Sequence, residues 1–210
     1  MSSDSKFFLG VVIAAILVIG GVVLFSGKSK TDTQTAEVDT SVGYKLGPDD
    51  AKVKVVEFGD FQCPACQVAA SEFRKVQKDN SDVQLIFRHF PLTNVHKNAE
   101  SSSLAAEAAA KQGKFWEMYD LLYERQSSWQ ATTSPEEVFS GYAQELGLSV
   151  DQFIKDMKSD DAKNLVKRDQ DYGLSLNVDQ TPTFYVNGQK RSGVQTAENW
   201  QELLNTARGQ

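Results

Sequence analysis

The chain of 210 residues contains two cysteines, Cys63 and Cys66, in the run Phe58-Gly59-Asp60-Phe61-Gln62-Cys63-Pro64-Ala65-Cys66. Two thiols three positions apart can close a disulfide with each other. Disulfide exchange needs one low-pKa thiolate to attack and one neighbour to resolve the mixed disulfide. The apolar run Val53 to Phe58 reads as a strand buried on both faces. Pro64 suits the first position of a helix, because its φ is fixed and it has no N–H to leave unpaired. Cys63 would then face the free N–H groups of a helix start, which stabilise a thiolate.

Two blander readings compete. Zinc needs four ligands, and Cys63, Cys66, His89 and His96 could supply them. The spacings fit poorly: 22 residues separate Cys66 from His89, six separate the histidines, and His89 falls in an apparent strand. An inert structural disulfide is the other reading. With 40% apolar residues a chain of this length can build a core without cross-links, which favours a reactive pair. No metal and no cofactor are expected. The net charge of −6 argues against a general nucleic-acid-binding surface.

Phe7 to Phe25 carries no charged or strongly polar side chain, and nineteen residues can cross a bilayer core. The residues that follow, Ser26 to Lys30, lack a small-residue cleavage site, so residues 1–25 are read as an uncleaved membrane anchor. Lys28 and Lys30 after the span, against Lys6 and Asp4 before it, weakly favour a cytoplasmic C-terminal side. The redox motif favours an oxidising, extracytoplasmic location, and the chemistry is given the greater weight. Residues 26–43, rich in Ser, Thr, Asp and Lys, read as a flexible linker reaching about 22–25 Å.

In the remainder, 44–210, Ala69, Phe73 and Val76 mark one face of a helix after the motif. Val83, Leu85 and Phe87 alternate as a strand, completing a βαβ unit. Residues from about 98 to 160 read as an all-helical insertion. Ser134-Pro135-Glu136-Glu137 and Ser149 with Gln152 read as capping boxes, and Gly147 as a helix stop. A further helix is expected over about 162–176. Thr181-Pro182-Thr183-Phe184-Tyr185-Val186 followed by Asn187-Gly188 reads as a strand entering a hairpin, with Pro182 at its first position or on an edge. A last helix over about 197–207 carries Trp200, Leu203 and Leu204.

From about Gly43 to Arg208 this pattern resembles the DsbA-like thiol–disulfide oxidoreductases of the thioredoxin superfamily, in their membrane-anchored bacterial form. The resemblance rests on Val55-Val56-Glu57-Phe58, Cys63-Pro64-Ala65-Cys66, Phe87-Arg88-His89-Phe90-Pro91-Leu92, and Thr181-Pro182-Thr183-Phe184 with Asn187-Gly188. It implies an α/β thioredoxin fold with an inserted helical subdomain, preceded by one transmembrane helix. It implies Cys63 as nucleophile, Cys66 as buried partner, Pro182 as a cis-proline facing the sulfurs, and Glu57 as a buried proton-shuttling acid. Thr181, Pro64 and Ala65 would contact substrate. Two departures stand out: Gln180 replaces a common Gly, and Pro64-Ala65 lacks the histidine of strongly oxidising relatives. Asp60 is expected to be a loop or capping residue, and His89 structural.

The function that follows is a monomeric, membrane-tethered oxidoreductase that introduces disulfides into exported cysteine-containing proteins. A membrane or extracellular oxidant would reset it. A reductase or isomerase of the same fold, or a non-catalytic binding or holdase domain, would share most of these features.

Overall fold

The computed structural model describes residues 36–209. The anchor expected over residues 1–25 and the linker up to residue 35 lie outside the described residues. No helix among the described residues is long and apolar enough to cross a membrane.

Five strands form one sheet: β1 (Tyr44–Leu46), β2 (Val53–Gly59), β3 (Val83–His89), β4 (Thr183–Val186) and β5 (Gln189–Ser192), in the order β1-β3-β2-β4-β5. The central pair β2 and β3 is parallel, joined through helix α1 (Pro64–Asp79), and every other pairing is antiparallel. Both central strands are almost wholly buried, including Gln84, Arg88 and His89 of β3. The alternation read along Val83, Leu85 and Phe87 therefore does not mark a solvent-facing side, because helices cover both faces of the sheet. The short edge strand β1 was not anticipated; three residues carry too little periodicity to be seen.

On one face, Val53, Val55, Leu85, Phe184 and Val186 pack against Ala69, Phe73 and Val76 of α1 and against Trp200 and Leu204 of the final helix, α8 (Ala197–Arg208). The other face gathers Val56, Phe58, Ile86 and Tyr185 with Phe90, Val178 and Tyr172. Tyr172 belongs to α7 (Asp160–Ser175). Residues 36–43, read from sequence as the end of the linker, lie against this second face. Ala36 and Val38 pack on its apolar cluster, Ala36 N–H donates to Gly188 O at 2.8 Å, and Asp39 N–H bonds to the Tyr172 hydroxyl at 2.6 Å. Their alternate apolar positions matter more than the polar composition of the segment.

Between β3 and α7 run α2 (Ala99–Ala110), α3 (Phe115–Glu124), the single turn α4 (Gln126–Trp129), α5 (Pro135–Glu145) and α6 (Val150–Met157). Their core residues Met118, Leu122, Trp129, Phe139 and Phe153 are continuous with Phe61, Cys66, Ala70 and Phe87. The helical block and the cysteine motif therefore share one core. Ser134 and Ser149 stand at the N-caps of α5 and α6, but neither side chain makes the capping bond. The Ser149 N–H goes instead to Gln112 Oε1 at 2.9 Å, while Gln152 bonds to Asp156. Gly147, at φ +72°, closes α5 in a Schellman turn, with Leu148 N–H to Ala143 O and Gly147 N–H to Gln144 O. Asn187 and Gly188 both take positive φ between β4 and β5, the geometry of a type I′ hairpin.

Candidate active site

Strand β2 delivers the chain to Gly59, where a Cβ would come within 2.5 Å of the Phe87 ring, so only glycine leaves the strand this closely. Asp60 then turns the loop. Its buried carboxylate accepts Gln62 N–H at 2.7 Å, Leu92 N–H at 2.9 Å and His96 Nδ1 at 2.7 Å. Its carbonyl accepts Cys63 N–H at 3.1 Å. Cys63 is the N-cap of α1, with extended φ and ψ, and Pro64 occupies the first turn.

The pairing of β2 with β4 sets Phe58 opposite Thr183 and so brings Thr181-Pro182, joined by a cis bond, to the level of Cys63. Cys63 Sγ lies 3.4 Å from Thr181 O. Both cysteines are free thiols; Cys63 keeps 7% exposure and Cys66 none. The first residue is thus recessed rather than widely exposed, but it is the one of the pair that keeps contact with solvent. Thr181, Pro64 and Ala65 surround it through the β4 approach and the helix start.

The two sulfurs lie in opposite settings. The Cys66 thiol and the backbone N–H groups of Cys66 and Ala65 outweigh partial burial and hold the Cys63 thiol down to about 5. Burial, the bond with Cys63 and the charges of Cys63 and Glu57 push the Cys66 thiol well above its ordinary value. Glu57 lies on the sheet face that carries α1 and α3. Burial pushes its carboxyl up to about 8, against the weaker opposing effects of Tyr119 and Arg74. The Tyr119 hydroxyl donates to Glu57 Oε2 at 3.4 Å, and Oε1 has no partner.

His89 and His96 are drawn elsewhere. His89 Nε2 meets Glu107 Oε1 at 2.9 Å, and Glu107 also accepts the Tyr44 hydroxyl at 2.7 Å. Among the described residues, no three His, Cys, Asp or Glu side chains converge as metal ligands, so the four-residue zinc reading has no geometric support.

Several site neighbours were not read from the sequence. Gln126 Nε2 donates to Phe61 O at 2.8 Å and Cys63 O at 3.0 Å. Gln62 bridges Asn98 N–H at 2.6 Å and Gln130 O at 2.8 Å. Tyr119, on Glu57, and His96, read from sequence only as a candidate zinc ligand and found on Asp60, complete the surroundings. These partners stand 36 to 68 positions from the residues they touch, and no local pattern announces them.

Residues 39–206 match the Thioredoxin family. The chain is 36% identical over 198 residues to a probable disulfide bond formation protein D of Bacillus cereus, covering 90% of this chain and 91% of that one. It is 38% identical over 156 residues to the Na(+)/H(+) antiporter NhaA 1 of Salinispora arenicola, covering 74% of this chain but spanning only 23% of the antiporter. Among solved structures, oxidised BdbD of Bacillus subtilis superposes with a TM-score of 0.75 at 26% identity, covering 86% of this chain and all of that one. A recessed thiol pair at a helix start, a cis-proline beside it, a helical block on the same core and these likenesses agree: the chain belongs to the thioredoxin family and is similar to a probable disulfide bond formation protein D.

Proposed function

We propose that the protein is a membrane-tethered thiol–disulfide oxidoreductase that introduces disulfides into exported proteins. The observation that carries the reading is the opposed setting of the two thiols, with Cys63 held down to about 5 and Cys66 pushed up. A stabilised thiolate favours the dithiol form and makes the disulfide form the stronger oxidant.

In the oxidised protein a substrate thiolate attacks Cys63 Sγ, breaks the Cys63–Cys66 bond and leaves its electron pair on Cys66, which takes up a proton. A second substrate thiolate then attacks the substrate sulfur of the mixed disulfide and expels Cys63 as the thiolate. The substrate has lost two electrons and the protein holds a dithiol. Glu57, held neutral near pH 7, supplies and retrieves the Cys66 proton. Thr181, with Pro64 and Ala65, lines the approach of an extended substrate chain. The N-terminal apolar segment tethers the domain outside the cytoplasm, where an extracytoplasmic oxidant returns the pair to the disulfide.

Two variants test this in the native host. Cys66→Ala keeps the attacking thiol but cannot expel a bound substrate, so high-mass mixed disulfides with exported proteins should accumulate and collapse on reduction. Cys63→Ala should give few, because Cys66 is inaccessible. Equal behaviour of the two variants removes the assignment of Cys63. A holdase would form no covalent species in either. Equilibration of the pair with a glutathione buffer then separates oxidant from reductase: a potential well above the roughly −270 mV of thioredoxin means oxidant.

A further inference from the structure

The helical block does more than cover the sheet, since one of its side chains reaches into the loop that carries the nucleophile. Gln126 opens α4, is 2% exposed, and spends both amide hydrogens on that loop, one on Phe61 O and one on Cys63 O. The Cys63 carbonyl also accepts Gln67 N–H at 3.2 Å, so it is held from two sides. This carbonyl belongs to the peptide that enters Pro64, which has no N–H of its own. Its plane sets the direction of the first turn of α1. From the other side of the same corner, Gln67 Nε2 bonds to Tyr123 O at 2.6 Å, at the end of α3. The start of α1 is therefore clasped to the α3–α4 corner by two amides, one donated from each side.

We propose that Gln126 is a positioning residue for the redox site: through its two bonds the helical block holds the Phe61–Cys63 loop so that the N–H groups at the start of α1 face Cys63 Sγ. Without the amide the Phe61 carbonyl would be a buried acceptor left unpaired beside a developing negative charge, and the Cys63 carbonyl would keep Gln67 N–H alone, so that the peptide before Pro64 is held from one side only. Both effects work against the thiolate. The amide thus links the placement of the helical block to the reactivity of a sulfur it does not touch. The inference rests on the reading of Cys63 as the attacking thiol.

The experiment compares the reduced full-length chain with Gln126→Met, which keeps the length and apolar volume of the side chain but cannot donate. The rate of Cys63 alkylation is followed against pH, and each protein is equilibrated with a glutathione buffer. Gln126→Met should raise the alkylation midpoint by about one pH unit and weaken the disulfide as an oxidant by about tenfold in its equilibrium constant. Gln112→Ala is the control. Its amide ties Ser149 within the same helical block, donating to the carbonyl at 3.2 Å and accepting the N–H at 2.9 Å, without touching the cysteine loop. It should lower stability and leave both readouts in place.

If Gln126→Met does not fold, Gln126→Asn, which keeps the amide but falls short of the two carbonyls, should show the same upward displacement. A folded Gln126 variant with the parent midpoint and the parent equilibrium overturns the proposal and leaves Gln126 a satisfier of buried carbonyls. A shift of equal size in Gln112→Ala also overturns it, because general loosening would then suffice. A parent midpoint near the free-thiol value of about 8.5 would instead sink the reading of Cys63 itself, and the proposal with it.

Discussion

Cys63 and Cys66 are three positions apart, and a single turn of helix gives them contrary acidities. The largest influence lowering Cys63 is the Cys66 thiol, ahead of the helix-start N–H groups. Cys66→Ala should therefore raise the alkylation midpoint of Cys63 from about 5 toward the free-thiol value, while leaving it below that value because the backbone donors remain. A midpoint unchanged in Cys66→Ala would mean that the backbone alone sets the thiolate. Glu57 carries the opposite linkage. Between about 4.3 in the unfolded chain and about 8 in the fold, the native state keeps a proton that the unfolded state has lost, so stability falls as pH rises through that window. Cys63 pulls the other way in the reduced protein, adding stability as pH rises from about 5 toward the free-thiol range. Glu57→Gln removes only the first slope. Urea unfolding of the reduced proteins should show the variant gaining on the parent by about 3 kcal/mol between pH 5 and pH 8. A constant difference across that range would place Glu57 in an ordinary carboxylate setting.

At the scale of elements, helix starts that look alike in sequence are held differently. Ser159 Oγ accepts Ala162 N–H at 3.2 Å at the start of α7, and Thr196 Oγ1 accepts Asn199 N–H at 3.2 Å at the start of α8. Ser134 and Ser149 make no such bond. Thr196→Ala should cost about 1 kcal/mol in denaturant unfolding and Ser134→Ala close to nothing. Equal costs at the two sites would contradict this distinction. Helix α7 also approaches the sheet through Gly173, where an added Cβ would lie 2.7 Å from Phe90 and 2.9 Å from Phe58. Alanine is the better helix former by roughly 1 kcal/mol, yet both rings are buried and have little room to retreat. Gly173→Ala should therefore be destabilising on balance, by about 1–2 kcal/mol, as a lowered midpoint in urea.

Across the whole molecule, two buried polar links bind the layers. Arg88 of β3 pairs with Asp169 of α7 at 2.9 Å, both side chains about 3% exposed, and its guanidinium lies 4.3 Å from the Tyr172 ring centre. Asp169 also accepts His89 N–H. Asp169→Asn leaves a buried arginine without its counter-charge and should cost about 3–5 kcal/mol. A loss under 1 kcal/mol would mean that water reaches the pair. On the other side of the sheet, Glu107 ties α2 to β1 through Tyr44 and to β3 through His89. Burial opposes its charge, but His89 and the Tyr44 hydroxyl overcome that and hold its carboxyl below the usual range. A depressed carboxylate stabilises the fold above its unfolded pKa, and that contribution is lost as pH falls through the folded value. Acid unfolding should accordingly flatten in Glu107→Gln, which has no such proton to gain.

Where neighbouring residues make the argument, the sequence was sufficient. The strand before the cysteines, the helix opened by Pro64, the hairpin at Asn187-Gly188 and the final helix all follow from period, from φ restriction and from a missing N–H. The same local logic placed Cys63 and Cys66 together at a helix start, and marked a charged residue within Val55-Val56-Glu57-Phe58 as one that folding would bury. Side-chain partners did not follow. Ser134 and Ser149 have the composition of capping boxes, yet tertiary neighbours such as Gln112 took the donor, because a hydrogen bond goes to whichever acceptor the packed fold brings near. Ala36 and Val38 sit in polar surroundings along the chain and still found an apolar sheet face. Gln126 and Glu107 meet their partners 63 and 18 positions away, and only the closure of the helical block over the sheet brings them together. Distances along the chain determine helices and strands, whereas the acidity of a sulfur depends on dipoles and burial in space, and those exist only once the layers have packed.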